Sequence, residues 1–259
     1  MKLIDTHSHL YLEEFDKDIN QIIKEAKENH VNKILLPNIS SKTTTRMINL
    51  CNNFKNIFFP MAGLHPCEVS EENFKFEIDH IAKLISKEKM IAIGEIGIDL
   101  YWDQSTLSIQ KQAFEKQILI AKKNNLPIVI HNRNSFNETI EIVERLNDSH
   151  LSGVFHCFTG SLKEANRIIE LGNFFLGIGG VLTFKNSGLD KVIENISLKK
   201  IILETDAPYL SPHPYRGKRN VPKYLLIIAE KLAEIKNISL ESVIKETTRN
   251  ANKLFDLSN

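Results

Sequence analysis

Histidines and acidic residues recur just after short apolar runs of this sequence. His7 and His9 lie two residues apart in the opening segment MKLIDTHSHL. Because side chains of an extended chain repeat with a period of two, both imidazoles point to the same side, which is a chelating geometry. Four further groups of this kind follow other apolar runs, namely Glu95, His131, His156 and Asp206. Any joint chemistry of these six residues requires a fold that brings them together.

Histidines with carboxylates and no cysteine suit a divalent ion of borderline character, such as zinc or manganese. Six ligands exceed the tetrahedral set of one ion, so they divide naturally between two ions with one carboxylate as a bridge. Two ions about 3.5 to 4 Å apart convert a bound water to hydroxide near neutral pH and hold the oxygens of a phosphoryl group. The predicted chemistry is therefore hydrolysis.

The elements that would position these groups are short strands alternating with helices. Eight apolar, β-branched runs are typical of buried parallel strands, at residues 3–6, 33–37, 57–62, 90–96, 127–130, 153–155, 174–178 and 200–204. Segments with helical spacing of apolar residues lie between them. A closed barrel and an open doubly wound sheet both fit this alternation. In the barrel the carboxyl ends of all strands ring one mouth, where the predicted ligands would meet.

One domain over residues 1–259 is the simplest organisation, because no linker or low-complexity tract interrupts the alternation. The segment 207–222 is predicted to be a loop, since its four prolines prevent regular structure. Two helices, over residues 223–235 and 240–254, are predicted to complete the chain, with Ser239 as the N-cap of the second.

The overall charge excludes one class of nucleic-acid binding. Lys and Arg number 33 against 32 Asp and Glu, so no broad cationic field exists to hold a long polyanion. A nucleic-acid substrate would have to be bound by a local site. The N-terminal segment lacks an apolar signal core, and no stretch approaches the roughly 18 apolar residues of a membrane span. The sequence thus predicts a cytosolic protein without a membrane partner, whose three scattered cysteines are free thiols.

Six motifs together resemble the TatD family of metal-dependent deoxyribonucleases, a branch of the amidohydrolase-like TIM barrels. The motifs are IDTHSHL at 4–10, GLHP at 63–66, GEIGID at 94–99, IHNR at 130–133, FHCFTG at 155–160 and ETDAPYL at 204–210. The resemblance covers most of the chain and implies an α/β fold, a single (β/α)8 barrel.

The resemblance also implies two divalent ions per chain, which could be magnesium, manganese or zinc. The implied ligands are His7, His9 and Asp206 for one ion, His131 and His156 for the other, and Glu95 as the bridge. Asp206 would also orient or deprotonate the attacking water, a task for which a carboxylate beside a cation is suited. Asp206 and Glu95 are therefore the predicted catalytic acids.

Residues near the predicted ligands have two interpretations each. His65 is either a third catalytic residue, which contacts the phosphate or shuttles a proton to the leaving oxygen, or a packed histidine. Arg133 is either a phosphate clamp or a surface arginine. Arg216 and Arg219 belong either to a segment that resembles the family's phosphate-facing loop or to a generic basic loop. Glu204 shares the side of the predicted catalytic aspartate, so we expect it to orient a ligand by hydrogen bonding.

The loop after the fourth predicted strand contains Asp99 and Trp102, which are predicted to border the substrate. Trp102 is the only tryptophan, and it could stack on a base. Asp5 is predicted to be a hydrogen-bonded polar residue in the barrel floor. Cys157 directly follows a predicted ligand, so alternation turns its side chain away from the ions.

Three functions are compatible with these residues and motifs. The first is a TatD-type phosphodiesterase that removes nucleotides from single-stranded DNA ends, with RNA as an alternative substrate, acting as a monomer or small homo-oligomer. The second is an amidohydrolase-like enzyme that cleaves an amide or ester, such as an acyl group on RNA, because the same ions polarise a carbonyl. The third is a non-catalytic barrel, against which the complete ligand set argues. The arginines favour the phosphodiesterase.

Overall fold

The structure is a computed structural model that describes residues 2–257. Within that range strands and helices alternate along the chain. The strands are β1 Leu3–Asp5, β2 Val31–Leu36, β3 Phe58–Pro60, β4 Ile93–Asp99, β5 Ile128–Arg133, β6 Gly153–Phe155, β7 Phe174–Ile178 and β8 Ile201–Leu203. The α-helices are α1 Ile19–Glu28, α2 Ser41–Asn53, α3 Phe74–Lys87, α4 Leu107–Lys123, α5 Phe136–Leu146, α6 Leu162–Glu170, α7 Leu189–Glu194, α8 Leu225–Lys236 and α9 Leu240–Phe255.

The strands close into a barrel. β1, β2 and β3 pair in parallel, as do β4 to β8 in sequence order. Two parallel bridges join these sheets, one between Ser8 and Ala207 beyond β1 and β8, and one between Ala62 and Ile93 at β3 and β4. Every carboxyl end therefore lies at one mouth, as predicted for a (β/α)8 barrel and not for an open sheet.

The barrel interior is apolar away from that mouth. Strand residues alternate between two packed layers, so both faces of each strand are buried and the strands appear in sequence as continuous apolar runs. One buried cluster joins side chains of six strands, and Met61 just after β3, to the last helix: Ile4, Leu35, Val129, Val154, Phe175 and Ile202 with Ala251, Leu254 and Phe255 of α9. The alternate strand residues pack in a second cluster with the surrounding helices.

Two strands extend further toward the mouth than the sequence predicts. β4 and β5 continue to Asp99 and Arg133, where those two residues pair in the parallel ladder. Glu95 consequently lies inside β4 and not at its end, so that expectation was wrong. The prediction followed apolar runs, and polar residues that line the barrel mouth interrupt such runs while the backbone ladder continues.

The C-terminal helices α8 and α9 lie close to the ranges predicted for them. Asn237 in the left-handed conformation ends α8, and Ser239 caps α9 because its Oγ accepts a hydrogen bond of 3.2 Å from Ser242 N. None of the helices in residues 2–257 has the length and apolar character to cross a bilayer.

Candidate metal centre

The six predicted ligands converge at the mouth of the barrel, from strands that are distant in sequence. Each lies in or just beyond a strand: His7 and His9 after β1, Glu95 in β4, His131 in β5, His156 after β6 and Asp206 after β8. Their side chains are buried or nearly so, with side-chain exposure no greater than 15%. The barrel topology thus brings together six residues that are far apart in the sequence.

Glu95 lies between two sets of imidazole nitrogens. Its Oε2 is 3.1 Å from His7 Nε2 and 3.6 Å from His9 Nε2. Its Oε1 is 2.7 Å from His131 Nδ1 and 3.3 Å from His156 Nε2. The two oxygens of one carboxylate therefore face different pairs of histidines.

Asp206 lies on the same side as the first pair. Its Oδ1 is 3.7 Å from His7 Nε2 and 3.6 Å from His9 Nε2. The His156 ring stacks on that of His7 at a centroid distance of 3.7 Å, so the two sides of the centre are contiguous. Three groups of donor atoms converge closely enough to hold an ion: His7, His9 and Glu95; His7, His156 and Asp206; and His65, Glu95 and His131.

An irregularity in β4 directs Glu95 into the centre. The β4–β5 register shifts between Ile93 and Ile96, so the intervening residues leave the β5 ladder. Their backbone pairs instead with Asn38 beyond β2, because Glu95 N donates to Asn38 O at 3.1 Å and Asn38 N donates to Gly94 O at 2.9 Å. The bulge thus fixes the backbone of Glu95 against the segment that follows β2.

Asp5 joins the segments that hold the first group. Its buried carboxyl accepts hydrogen bonds from Thr205 N at 2.9 Å, Thr205 Oγ1 at 2.5 Å and His7 N at 3.3 Å. Burial raises the pKa of Asp5 to about 7, against the lowering effect of the Thr205 hydrogen bonds. Asp206 N in turn donates to His7 O at 2.9 Å. The ends of β1 and β8 are therefore fixed to each other, as the predicted structural role of Asp5 requires.

Each imidazole of the predicted ligands has one ring nitrogen that faces the other ligands and one that faces away from them. In three of the four rings, the nitrogen that faces away has a hydrogen-bond partner. These contacts are His9 Nδ1 to Tyr11 Oη at 2.9 Å, His131 Nε2 to Asp99 Oδ2 at 2.8 Å and His156 Nδ1 to Glu204 Oε1 at 3.0 Å. His7 Nδ1 is buried and has no partner among the described residues. Partners of this kind orient a metal-binding ring and select its tautomer.

Sequence reasoning found one of these partners and missed two roles. Glu204 has the expected position beside His156. Asp99 was expected only to border the substrate, and that expectation stays a prediction. Its contact with His131 is an additional role, which alternation from Glu95 along a longer β4 would have indicated. Tyr11 was not considered, although it follows the His-x-His pair with the same spacing of two.

The pKa shifts follow from this crowding of opposite charges. Burial would raise the pKa of Glu95, but the charges of His156, His7 and His65 hold it well below its usual range. Burial would lower the pKa of His156, but Glu204 and Glu95 raise it well above the ordinary value. Glu95 and His156 thus stabilise each other's charged forms, and the centre favours positive charge between its carboxylates.

His65 belongs to the same centre. Its Nε2 is 3.5 Å from Glu95 Oε1 and 3.3 Å from His131 Nδ1, while its Nδ1 accepts a hydrogen bond from Cys67 N at 3.1 Å. Burial lowers the pKa of His65, in spite of the opposing charge of Glu95. The ring therefore favours the neutral form and reaches the centre through Nε2.

Arg133 lies at the rim of the mouth against aromatic side chains. Its guanidinium carbon is 3.7 Å from the centroid of the Tyr101 ring and 5.5 Å from that of Trp102. Both rings are exposed, Tyr101 at 51% and Trp102 at 72%. The rim near β4 and β5 therefore presents a cation and two aromatic faces to solvent.

The two arginines of the loop after β8 have different surroundings. Arg216 stacks over Phe184 at 3.7 Å and lines an open cavity of about 560 Å³ together with Lys185 and His213. Arg219 forms an ion pair with Asp18. Arg216 thus lies in a cationic cavity. The charge of Arg219, by contrast, is already paired with the carboxylate of Asp18, the residue before α1.

The donor set fits a divalent cation of borderline character. It consists of imidazole nitrogens and carboxylate oxygens without a thiolate. His7 Nε2 and His9 Nε2 lie 3.3 Å apart, and at most one of two such nitrogens can place a hydrogen between them. Nitrogen and oxygen atoms that converge in this way favour positive charge among them, so these residues could hold one or more ions.

Comparisons with known proteins agree with this geometry. A profile of the TatD related DNase family matches residues 4–256. The uncharacterized metal-dependent hydrolase YabD of Bacillus subtilis is 38% identical over 260 residues, covering 99% of this chain and 100% of the relative. The crystal structure of YjjV, a TatD homologue from Escherichia coli K12, has a TM-score of 0.90 at 27% identity and covers 98% of both chains. An uncharacterized amidohydrolase from Saccharomyces cerevisiae shares the fold, with a TM-score of 0.84 at 19% identity, covering 98% of this chain and 100% of that one.

Proposed function

The chain belongs to the TatD related DNase family and is a metal-dependent hydrolase, and from this premise we propose that it hydrolyses phosphodiester bonds of DNA at a dinuclear centre. The observation that carries the proposal is the position of Glu95. Its Oε2 faces His7 and His9, and its Oε1 faces His131 and His156. A carboxylate in this position is suited to bridge two ions.

The charges of the centre support two ions. Four carboxyl groups contact the imidazoles, namely Glu95, Asp99, Glu204 and Asp206. When ionised they carry four negative charges, which two divalent cations would balance. One ion would leave a buried excess of negative charge, which is costly in a low-dielectric interior. We therefore propose His7, His9 and Asp206 as ligands of one ion, and His131 and His156 as ligands of the other, with Glu95 shared.

The bound ions would supply a nucleophile near neutral pH and electrostatic stabilisation of the phosphoryl oxygens. The chain's own residues would perform the proton transfers. Asp206 exposes 13% of its side chain at the mouth and would accept the proton of the attacking water. His65, which favours the neutral form, would contact the phosphate through Nε2, or would relay to the leaving oxygen the proton that Asp206 has accepted from the water, so that its own ring ends neutral as it began.

The substrate proposal rests on charge. Arg133 at the rim and Arg216 in the neighbouring cavity are suited to contact phosphate oxygens. The formal net charge of +1 disfavours wrapping of a long duplex and favours a strand end held at the mouth. We propose single-stranded DNA ends as the substrate, with RNA as the alternative. Action in the cytosol, as a monomer or small homo-oligomer, stays a prediction from the sequence.

A degradation assay tests this function. Purified protein with magnesium, manganese or zinc is incubated with single-stranded oligonucleotides labelled at either end, and Asp206→Asn serves as the inactive control. We expect stepwise shortening from one end by the wild type alone. Equal patterns for both proteins would contradict the proposal. Parallel assays with lactone and aminoacyl-RNA substrates test the amide or ester hydrolase, because the same centre could polarise a carbonyl.

A further inference from the structure

We propose that Tyr101, Trp102 and Arg133 form a nucleotide-binding platform at the rim, which stacks on one unpaired base and contacts its phosphate. The proposal rests on the function proposed above and names how that site recognises its substrate. Tyr101 and Trp102 contact each other edge to face at a centroid distance of 4.8 Å. Both rings are more than half exposed although they lie beside a buried centre.

The backbone of the platform is anchored by hydrogen bonds. Asp99 Oδ1 accepts hydrogen bonds from Tyr101 N at 2.9 Å and Trp102 N at 3.4 Å. Gln110 of α4 holds the backbone of the same aspartate, donating to Asp99 O at 3.1 Å and accepting from Asp99 N at 2.8 Å. Because these hydrogen bonds hold the backbone that carries both rings, binding would cost less conformational entropy than it would on an unanchored loop.

The same carboxylate connects the platform to the metal centre. While its Oδ1 holds the aromatic segment, Asp99 Oδ2 lies 2.8 Å from His131 Nε2. Arg133 follows two residues after His131 and pairs with Asp99 in the β4–β5 ladder. A nucleotide on the platform would therefore lie next to the reacting phosphate and not at a remote surface.

The chemistry of the three side chains selects a nucleotide with an unpaired base. The exposed Trp102 ring can stack on any base, and only an unpaired base offers its own face. The guanidinium lies at 3.7 Å over the Tyr101 ring, and in such a stack the N–H groups at its edge stay available to a phosphate. This arrangement favours a single strand over a duplex.

Trp102 fluorescence tests the platform directly, because it is the only tryptophan of the chain. The probe is a short oligothymidylate with phosphorothioate linkages that resist hydrolysis, added to the metal-loaded protein. We expect saturable quenching by the single strand and none by a blunt duplex of equal length. Unchanged fluorescence under conditions where a labelled oligonucleotide binds would overturn the platform.

Kinetics provide the second test. Trp102→Ala should raise KM for single-stranded DNA about 5- to 100-fold, the loss expected for one base–aromatic stack, while Trp102→Phe should retain most of the affinity. Phe76→Ala, which removes an exposed aromatic ring from α3, is the matched control and should leave KM unchanged. Equal KM values for wild type and Trp102→Ala, with DNA still degraded, would refute the platform alone. Quenching without any cleavage would refute the proposed nuclease and leave the platform standing.

A second observation, independent of the rim, concerns the His9 ring. We infer that Tyr11 is a positioning residue that fixes the tautomer of His9. Tyr11 Oη is 2.7 Å from Pro37 O, which only accepts, so the hydroxyl hydrogen lies in that bond. The contact of 2.9 Å between His9 Nδ1 and Tyr11 Oη must then use a hydrogen on Nδ1. In the neutral ring, which is the form that binds a metal ion, the lone pair then lies on Nε2, toward Glu95 and Asp206.

Two measurements test this role. In the zinc-loaded protein, ¹⁵N-edited NMR of the His9 ring should find the proton on Nδ1, and a proton on Nε2 would refute the inference. Tyr11→Phe should weaken metal binding about 10- to 100-fold in a competition titration with a chelating dye. Tyr224→Phe, which removes a hydroxyl from a tyrosine stacked on Tyr215, is the control. Equal metal affinity of Tyr11→Phe and wild type would contradict the proposed role.

Discussion

At the scale of single residues, the centre consists of ligands and of the groups that orient them. Glu204 illustrates the second kind. It is buried, and its Oε1 contacts both His156 Nδ1 at 3.0 Å and Cys157 N at 2.5 Å. An alanine at this position would release the imidazole ring and leave a buried backbone N–H without its acceptor, which costs about 1 to 3 kcal/mol.

Glu204→Ala should therefore weaken metal binding about 10- to 100-fold, whereas Glu204→Gln should weaken it less because the amide oxygen still accepts a hydrogen bond. Metal affinity is measured by competition with a chelator. Glu170→Ala, an exposed acid at the end of α6, is the control. If Glu204→Ala bound metal as tightly as this control, the orienting role would be wrong.

A substitution of His65 shows whether this histidine takes part in catalysis or is only packed. His65→Asn should lower kcat about 100-fold or more, the range for loss of a positioned acid or base, with the bound metal unchanged. Steady-state kinetics and elemental analysis of the same preparation give both quantities. Unchanged kcat would mean that the residue is only packed, and loss of metal would mean that it is a ligand.

At the scale of elements, β4 and β5 decide where the ligands lie. Gly97 has a φ of +147° and approaches β5 so closely that an added Cβ would lie 2.0 Å from His131 O. Only glycine permits this approach. Gly97 therefore helps to place His131 beside Glu95, because its lack of a side chain lets the two strands approach each other.

Gly97→Ala should lower the free energy of unfolding by about 3 kcal/mol or more and reduce metal binding, because backbone strain adds to a clash with the neighbouring strand. Gly172→Ala is a matched control, since Gly172 also has a positive φ of 86° but nothing lies within 4 Å of its added Cβ. We expect this control to lose only about 1 kcal/mol and to bind metal normally. Chemical denaturation curves provide the comparison, and equal losses for the two variants would refute this role of Gly97.

The sequence predicts the elements better than their ends. The apolar runs locate all the strands, because both faces of each are buried in a barrel. They do not show that β4 continues to Asp99, since this residue is polar and lies beyond the run at 90–96. The bulge at Glu95 also depends on Asn38 from another strand, a partner that no local pattern identifies.

At the scale of the whole molecule, the barrel brings together groups that lie as far apart in sequence as His7 and Asp206. The ligand set could be proposed from residue types and family motifs because chemistry restricts which side chains bind divalent ions. Surface contacts could not be predicted in this way. Arg219 is paired with Asp18 of another loop, and Arg133 lies against aromatic rings, and neither contact has a local signal.

Metal should stabilise the folded molecule as a whole. Since the ligands converge only in the barrel, an ion at a thousandfold excess over its Kd would add about 4 kcal/mol to the stability. Removal of metal by a chelator should then lower Tm by roughly 8 to 16 °C in a chain of this size. Calorimetry with and without chelator measures the difference, and His9→Ala, which lacks one proposed ligand, should show a smaller one. Identical Tm values for the wild type in both conditions would contradict a metal centre within the fold.

The proposed mechanism depends above all on one carboxylate that joins two ions at the barrel mouth. Anomalous X-ray diffraction from crystals grown with manganese, collected at the manganese absorption edge, locates such ions directly. We predict two peaks about 3.5 to 4 Å apart, with Glu95 between them, His7, His9 and Asp206 around one and His131 and His156 around the other. A single peak, or peaks away from these side chains, would contradict the dinuclear centre.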